Sequence, residues 1–170
     1  TTFHSCGINS YWIVGNSSKV HHMIKKRNEQ KNVENIATYD FSTLYTNILH
    51  DKLKTRMADV ISKAYEGSGK TYISVYSTSA SFVNKHKKDT KAYTKDQLIA
   101  MMNCLIDNCY VTCGDSLFRQ KISIPMGTDC APFLANLFLY SYEHEWMMKM
   151  KKTHPQLARQ FNRSARYIDD

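Results

Sequence analysis

The sequence predicts an α+β fold with an antiparallel sheet packed on helices. Some stretches repeat apolar residues at helical spacing, while others concentrate β-branched and aromatic residues between turn signals. The two kinds mix without the strand–helix–strand rhythm of a parallel sheet. A length of 170 residues suits one domain with a proper core, and 42% hydrophobic with 22% charged residues is a globular balance.

The elements follow in chain order. Residues 1–15 are ambiguous. Residues 19–28 read as a basic helix with Val20, Met23 and Ile24 on its apolar side. Residues 36–41 are rich in β-formers and read as a strand. Asp51 is placed to cap a helix whose Leu53, Met57, Val60, Ile61 and Ala64 keep helical spacing, with Gly67 and Gly69 ending it. Residues 71–83 alternate loosely, as a strand or hairpin, and residues 84–95 form a basic loop. Thr94 with Gln97 is a capping box opening a helix with a core face of Leu98, Met101, Met102, Leu105 and Ile106. Residues 110–113 and 117–124 read as strands joined at Gly114-Asp115, and Pro125-Met126-Gly127 breaks the second. Asp129 is placed to cap a long helix over residues 130–149, with Pro132 tolerated in its first turn. Arg166-Tyr167-Ile168 reads as a last strand running into Asp169-Asp170.

Composition narrows the function. Lys and Arg outnumber Asp and Glu by 23 to 15, and the resulting net charge of +8 makes a polyanion the first partner to consider. The longest apolar run, residues 133–140, is interrupted by Asn136 and falls short of the about 20 residues that span a bilayer. No basic, apolar secretory signal opens the chain. Cys6, Cys104, Cys109, Cys113 and Cys130 include no CxxC pair, so reduced thiols without a disulfide partner are expected rather than a zinc site. The histidines read as surface residues, and Trp12 and Trp146 as packing.

The carboxylates carry the chemistry. On a strand, Asp40 faces away from Tyr39 and Phe41, and a carboxylate in that setting must be paired, hydrogen-bonded or metal-bound. Asp169 and Asp170 are neighbours whose repulsion a divalent cation relieves. Three aspartates from two strand ends suffice for two hard cations, the arrangement that clamps both oxygens of a phosphoryl transfer. The plainer readings are a turn residue at Asp40 and a solvated Asp169-Asp170 pair.

The order of motifs shifts the weight between them. Thr38-Tyr39-Asp40-Phe41-Ser42-Thr43-Leu44-Tyr45-Thr46-Asn47-Ile48 resembles the first catalytic-aspartate motif of reverse transcriptases. Phe118-Arg119-Gln120, Ile124-Pro125-Met126-Gly127 and Ala131-Pro132-Phe133-Leu134-Ala135-Asn136 resemble their second palm motif, and Tyr167-Ile168-Asp169-Asp170 resembles their YxDD box. The flavour is most similar to retroelement enzymes of the Penelope-like type. The matched stretches cover about a quarter of the chain.

The resemblance implies a right-hand polymerase palm that is incomplete, with partial fingers and no thumb. Residues 1–35 would be partial fingers or a connecting region. Residues 36–170 would be palm with an inserted hairpin and helix, truncated at the YxDD turn. The implied activity is RNA-directed DNA polymerisation on an RNA template and DNA primer with dNTP. Asp40, Asp169 and Asp170 would be catalytic and, with the Phe41 carbonyl, would hold two Mg²⁺ ions, for which Mn²⁺ can substitute. Tyr45 would lie beneath the incoming sugar, Gly127 would let backbone approach the nascent base pair, and Gln120 and Arg119 would line that groove. Tyr167 would help position the primer end.

Departures from the pattern are Ser123, where relatives often have glycine, and the run Thr128-Asp129-Cys130-Ala131. No fingers motif with triphosphate-gripping basic residues is evident, and Lys25, Lys26 and Arg27 are only possible substitutes. By resemblance the setting is nuclear or intracellular; no targeting signal is seen, and the oligomeric state is open. A chain ending at that turn is expected to be marginally stable, because the return strand is missing.

Lys85, His86, Lys87, Lys88, Lys91 and Lys95 form a basic cluster, with Lys149, Lys151 and Lys152 after the long helix. Lys85, Lys87, Lys88 and Lys91 are candidate phosphate contacts, against the alternative of a solvated face. Tyr72, Tyr76 and Tyr93 are placed to stack bases or simply to alternate in a strand. The readings kept open are a fragment of a retroelement RNA-directed DNA polymerase that is expected to be inactive on its own, a catalytically dead nucleic-acid-binding remnant, and a telomerase-like polymerase sharing the same palm.

Overall fold

The structure, a computed structural model, describes residues 12–29, 35–86, 88–124, 128–161 and 164–167. The helices are α1 (Ser17–Glu29), α2 (Leu44–Asn47), α3 (His50–Ser68), α4 (Lys95–Asp107), α5 (Ala131–Thr153) and α6 (Pro155–Phe161). The strands are β1 (Tyr72–Val75), β2 (Ala80–Val83), β3 (Lys91–Tyr93), β4 (Tyr110–Cys113) and β5 (Ser116–Arg119). The fold is α+β, with small antiparallel sheets packed on helices.

α3 is the central helix and packs against both α4 and α5. Its buried residues His50, Leu53, Met57, Val60, Ala64 and Tyr65 follow the helical period, the pattern that the sequence displays. Asp51 lies in the first turn rather than at the cap: Leu49 is the N-cap, with no side-chain cap bond. Gly69 closes the helix at φ 61°, a left-handed cap that favours glycine, and Gly67 stays inside the helix. Leu53, Met57, Ile106, Ile124 and Leu134 centre the core, with Ile48, Ala135 and Phe138.

β1 is the middle strand of a sheet ordered β2-β1-β3, antiparallel on both sides. β3 falls inside the segment expected to be a basic loop, since a lysine-bearing segment can take the exposed edge of a sheet. The Thr94–Gln97 capping box is formed in both directions and starts α4. On α4 only Ile106 is fully buried, while Met101 and Leu105 are exposed, so the apolar stripe is wider than the surface that covers it.

β4 and β5 pair across Gly114-Asp115, with Gly114 at φ 58°. β5 stops at Arg119 rather than running on to Ile124. Every residue of this two-stranded ribbon is exposed, including Tyr110, Val111, Leu117 and Phe118.

Four further expectations are corrected. Residues 36–41 form no strand but an irregular, exposed segment, because β-formers without a partner strand have no ladder to join. Asp129 does not cap α5; Cys130 is the N-cap, without a side-chain cap bond, and Pro132 sits in the first turn as expected. His50 is buried, not a surface histidine. The last predicted strand is reduced, among the described residues, to one parallel bridge between Ile13 and Arg166. Cys104, Cys109, Cys113 and Cys130 are free thiols.

Candidate functional site

Asp40 lies on the exposed segment before α2, and its carboxylate makes no hydrogen bond or ion pair with a described residue. Thr43 then turns the chain at φ 60°, ψ 27°, a left-handed conformation that strains a β-branched residue. α2 is latched to that turn: Asn47 Nδ2 donates to Thr43 Oγ1 at 2.6 Å and Thr46 Oγ1 donates to the Thr43 carbonyl at 3.0 Å. A cavity of about 310 Å³ opens beside it, between Phe41, Thr43, Asn47, Lys52, Phe138 and Tyr142.

The same segment docks on the stretch that leads to Pro125. The Ile124 N–H donates to the Tyr45 carbonyl at 2.9 Å, and the Ser123 N–H to the Ile48 carbonyl at 2.8 Å. Leu49 and Ile122 form an antiparallel bridge. His50 Nε2 lies 2.8 Å from the Ser123 carbonyl. A carbonyl only accepts, so this nitrogen carries the proton. Ile48 and Ile124 are both core residues, so burial reinforces the backbone pairing. Ser123 sits at φ 91°. Thr43 and Ser123 are the non-glycine residues at positive φ among those described; Thr43 lies two residues before one paired segment and Ser123 within the other. Strain of this kind concentrates at functional sites and persists where the surroundings over-determine it.

A second junction surrounds Arg166, which is 6% exposed. Its Nε donates to Glu143 Oε1 and its Nη1 to Asn136 Oδ1 at 2.7 Å; Nη2 reaches the Asn136 carbonyl and Glu143 Oε2, both at 3.2 Å. Its backbone is held as well, because Val14 N–H donates to the Arg166 carbonyl and Arg166 N–H to the Trp12 carbonyl. The Trp12 indole donates to Glu143 Oε2 and stacks on Tyr140 at 5.1 Å. Asn136, Tyr140, Glu143 and Met147 share one face of α5, while Ala131, Leu134, Ala135 and Phe138 face the core. That double burial explains why α5 is apolar on more than one side. A cavity of about 410 Å³ adjoins the junction, walled by Trp12, Trp146, Met147 and Phe161. The sequence signal for the junction is an arginine opening the Arg166-Tyr167-Ile168 stretch, with Asn and Glu seven residues apart on one helix.

The other predicted residues are placed as follows. Tyr45 is half-buried and packs on the core. Arg119 binds the end of α4, with Nε donating to the Asp107 carbonyl at 2.7 Å and Nη2 lying 3.5 Å from its carboxylate. The hydrogen bond from Lys54, at 3.0 Å, is the main cause that holds the Asp107 carboxyl below its ordinary range. Gln120 Nε2 donates to the Ile122 carbonyl at 3.0 Å. Lys85, Lys88 and Lys91 are exposed and form no ion pair with a described residue, and Tyr167 is exposed. Lys87, Gly127, Asp169 and Asp170 lie outside the described residues.

Among the described residues, no group of three or more His, Cys, Asp or Glu side chains is positioned to hold a metal ion. Of the three aspartates predicted as ligands, Asp40 is the described one, and it offers hard oxygen donors open to solvent, a chemistry that suits Mg²⁺. No helix among the described residues is long and apolar enough to cross a membrane. No family model, curated protein or solved structure matches the chain.

Proposed function

We propose that the chain is part of an RNA-directed DNA polymerase palm of retroelement type. The observation that carries this reading is the pairing of residues 45–49 with residues 122–124. It joins the segment following Asp40 to a stretch inside the second motif, two stretches that the resemblance requires to be neighbours. Strain on both sides of the pairing and the tie from Arg166 to the Asn136 helix support it further.

In this reading Asp40, Asp169 and Asp170, with the Phe41 carbonyl, would hold two Mg²⁺ ions, which would supply charge neutralisation for nucleotidyl transfer. The chain's own work is positioning. The latched turn at Thr43 fixes the backbone after Asp40, the Tyr45–Ile124 bond aligns the two motif segments, and exposed lysines attract the phosphate backbone.

The test is primer extension on an RNA template with dNTP and Mg²⁺ by this chain joined to a return strand and thumb, compared with its Asp40→Asn and Asp169→Ala variants. Extension lost in both variants, with nucleic-acid binding retained, is the expected result. Extension that survives either substitution sinks the assignment. Binding without extension by the completed, unaltered protein favours the dead, nucleic-acid-binding remnant.

A further inference from the structure

Trp12 and Trp146, the two tryptophans of the chain, both border the cavity of about 410 Å³ beside Arg166. Its other large apolar walls are Tyr142, Met147 and Phe161, so the N-terminal segment, α5 and the end of α6 converge on one space. Tyr142, Trp146 and Phe161 keep 38–41% of their surface exposed, an uncommon grouping of half-open aromatic rings. The walls hold their places through one another. Trp146 and Phe161 meet edge to face at 4.6 Å and 76°, which makes a corner of two flat surfaces. Trp12 stacks on Tyr140, and the Arg56 guanidinium lies 3.8 Å from the centre of the Tyr142 ring. A space of this size, mostly apolar with a few polar groups, suits a small organic ligand, and preformed walls keep the cost of ordering low.

The polar groups decide the class of ligand. Glu143 and Arg166 are the charged residues of the lining, and Arg166 Nε and Nη2 both donate to the Glu143 carboxylate, so the pair neutralises itself. Aromatic cages draw cations, but this one has no uncompensated negative charge and Arg56 already occupies one ring. An anion would give up its hydration for a guanidinium already shared between Glu143 and Asn136. A neutral guest remains. Flat rings gain most from such walls through offset or edge-on stacking, and the Met147 thioether packs well against a ring edge. A carboxylate has about four acceptor sites, and described residues use three on Glu143: Arg166 donates to each oxygen, and Trp12 donates to Oε2. Oε1 can take one more hydrogen bond. We infer that this cavity binds a small, neutral, flat heteroaromatic molecule by stacking, with a ring N–H donated to Glu143. Such a site is independent of polymerase activity.

The test titrates the 170-residue protein, labelled with 5-fluorotryptophan, with benzimidazole near neutral pH and follows fluorine resonance. The label keeps the indole N–H of Trp12 and gives one signal for each tryptophan; Trp146→Phe assigns the pair. The expected result is that both signals shift together and saturate with one dissociation constant, at or below about 1 mM, an affinity within reach of so few ligand atoms. 1-Methylbenzimidazole lacks the donor and should bind about 10-fold more weakly, the loss of a hydrogen bond to a charged group. Ala165→Leu places a larger side chain at the cavity wall and should abolish the shifts while the thermal melt stays cooperative. Ser164→Leu, at an exposed position of the same lining, takes its place should that variant not fold. The absence of a saturable shift in the unaltered protein overturns the inference, as does undiminished binding by a folded, cavity-filling variant. Equal binding of the two benzimidazoles overturns the donation to Glu143. Saturable shifts of the same strength with tetramethylammonium overturn the neutral class and show a cation cage instead.

Discussion

The backbone N–H of Ser123 donates to the carbonyl of Ile48 at 2.8 Å, and the carbonyl of the same Ser123 accepts from His50 at 2.8 Å. Ser123 is thus held on both sides of its Cα by the segment that begins α3. The double hold explains how a serine stays at φ 91°, in the backbone region that favours glycine.

Ser123→Gly should therefore stabilise the fold. Relief of the strained φ is worth about 1–3 kcal/mol. The extra freedom of glycine in the unfolded chain takes back roughly 0.5–1 kcal/mol. Urea unfolding should show a gain of about 1 kcal/mol, the difference between those two effects; a loss would show that Ser123 is not strained.

Ser74→Ala should be neutral or stabilising. Ser74 is fully buried in the central strand β1, and its hydroxyl has no hydrogen-bond partner among the described residues. A buried, unpaired hydroxyl costs about 1–3 kcal/mol. Thermal melts of the two proteins decide the matter, and a clear loss of stability would point to a bound water at Oγ.

Replacing Lys85, Lys88 and Lys91 with alanine should weaken nucleic-acid binding alike for all sequences. On duplex DNA, the slope of log affinity against log salt should flatten by about 0.9 for each phosphate that is no longer neutralised. An unchanged slope would place the phosphate-binding surface elsewhere.

His144 should make stability depend on pH. Burial is the main cause that lowers its pKa, with Lys63 and Lys151 adding repulsion. The folded state thus prefers the neutral imidazole more than the unfolded chain does. The stabilisation is present above the unfolded value of about 6.5 and is lost as pH falls through the lower folded value. Urea unfolding between about pH 5 and 8 should show the loss, and His144→Gln should reduce it. Equal pH dependence in both proteins would count against the assignment.

What the sequence makes legible is local. The α3 stripe, the Thr94–Gln97 box and the Gly114-Asp115 turn are each written within a few residues, and all three are present. Residues 36–41 and β3 depart from the sequence expectation for one reason: a strand exists only when a partner accepts its hydrogen bonds, and partners are chosen by the whole fold. The candidate site divides in the same way. Asp40 is visible as a carboxylate among aromatics, but its exposure is not. The departure at Ser123 is visible, but only its φ shows why glycine would be at ease there. The clamp of Arg166 on α5, and the burial of His50, need three dimensions.

The Arg166 junction also sets an order of assembly. Trp12 finds its partners Glu143 and Arg166 only after the long stretch between them has been made. At a synthesis rate of about 5–20 residues per second, Trp12 waits on the order of ten seconds for them. During that interval α3, β1, β2, β3 and α4 can form from neighbouring segments alone, while a large indole stays without its stacking partner. The contacts that tie residues 12–14 to α5 and Arg166 are therefore made after these elements.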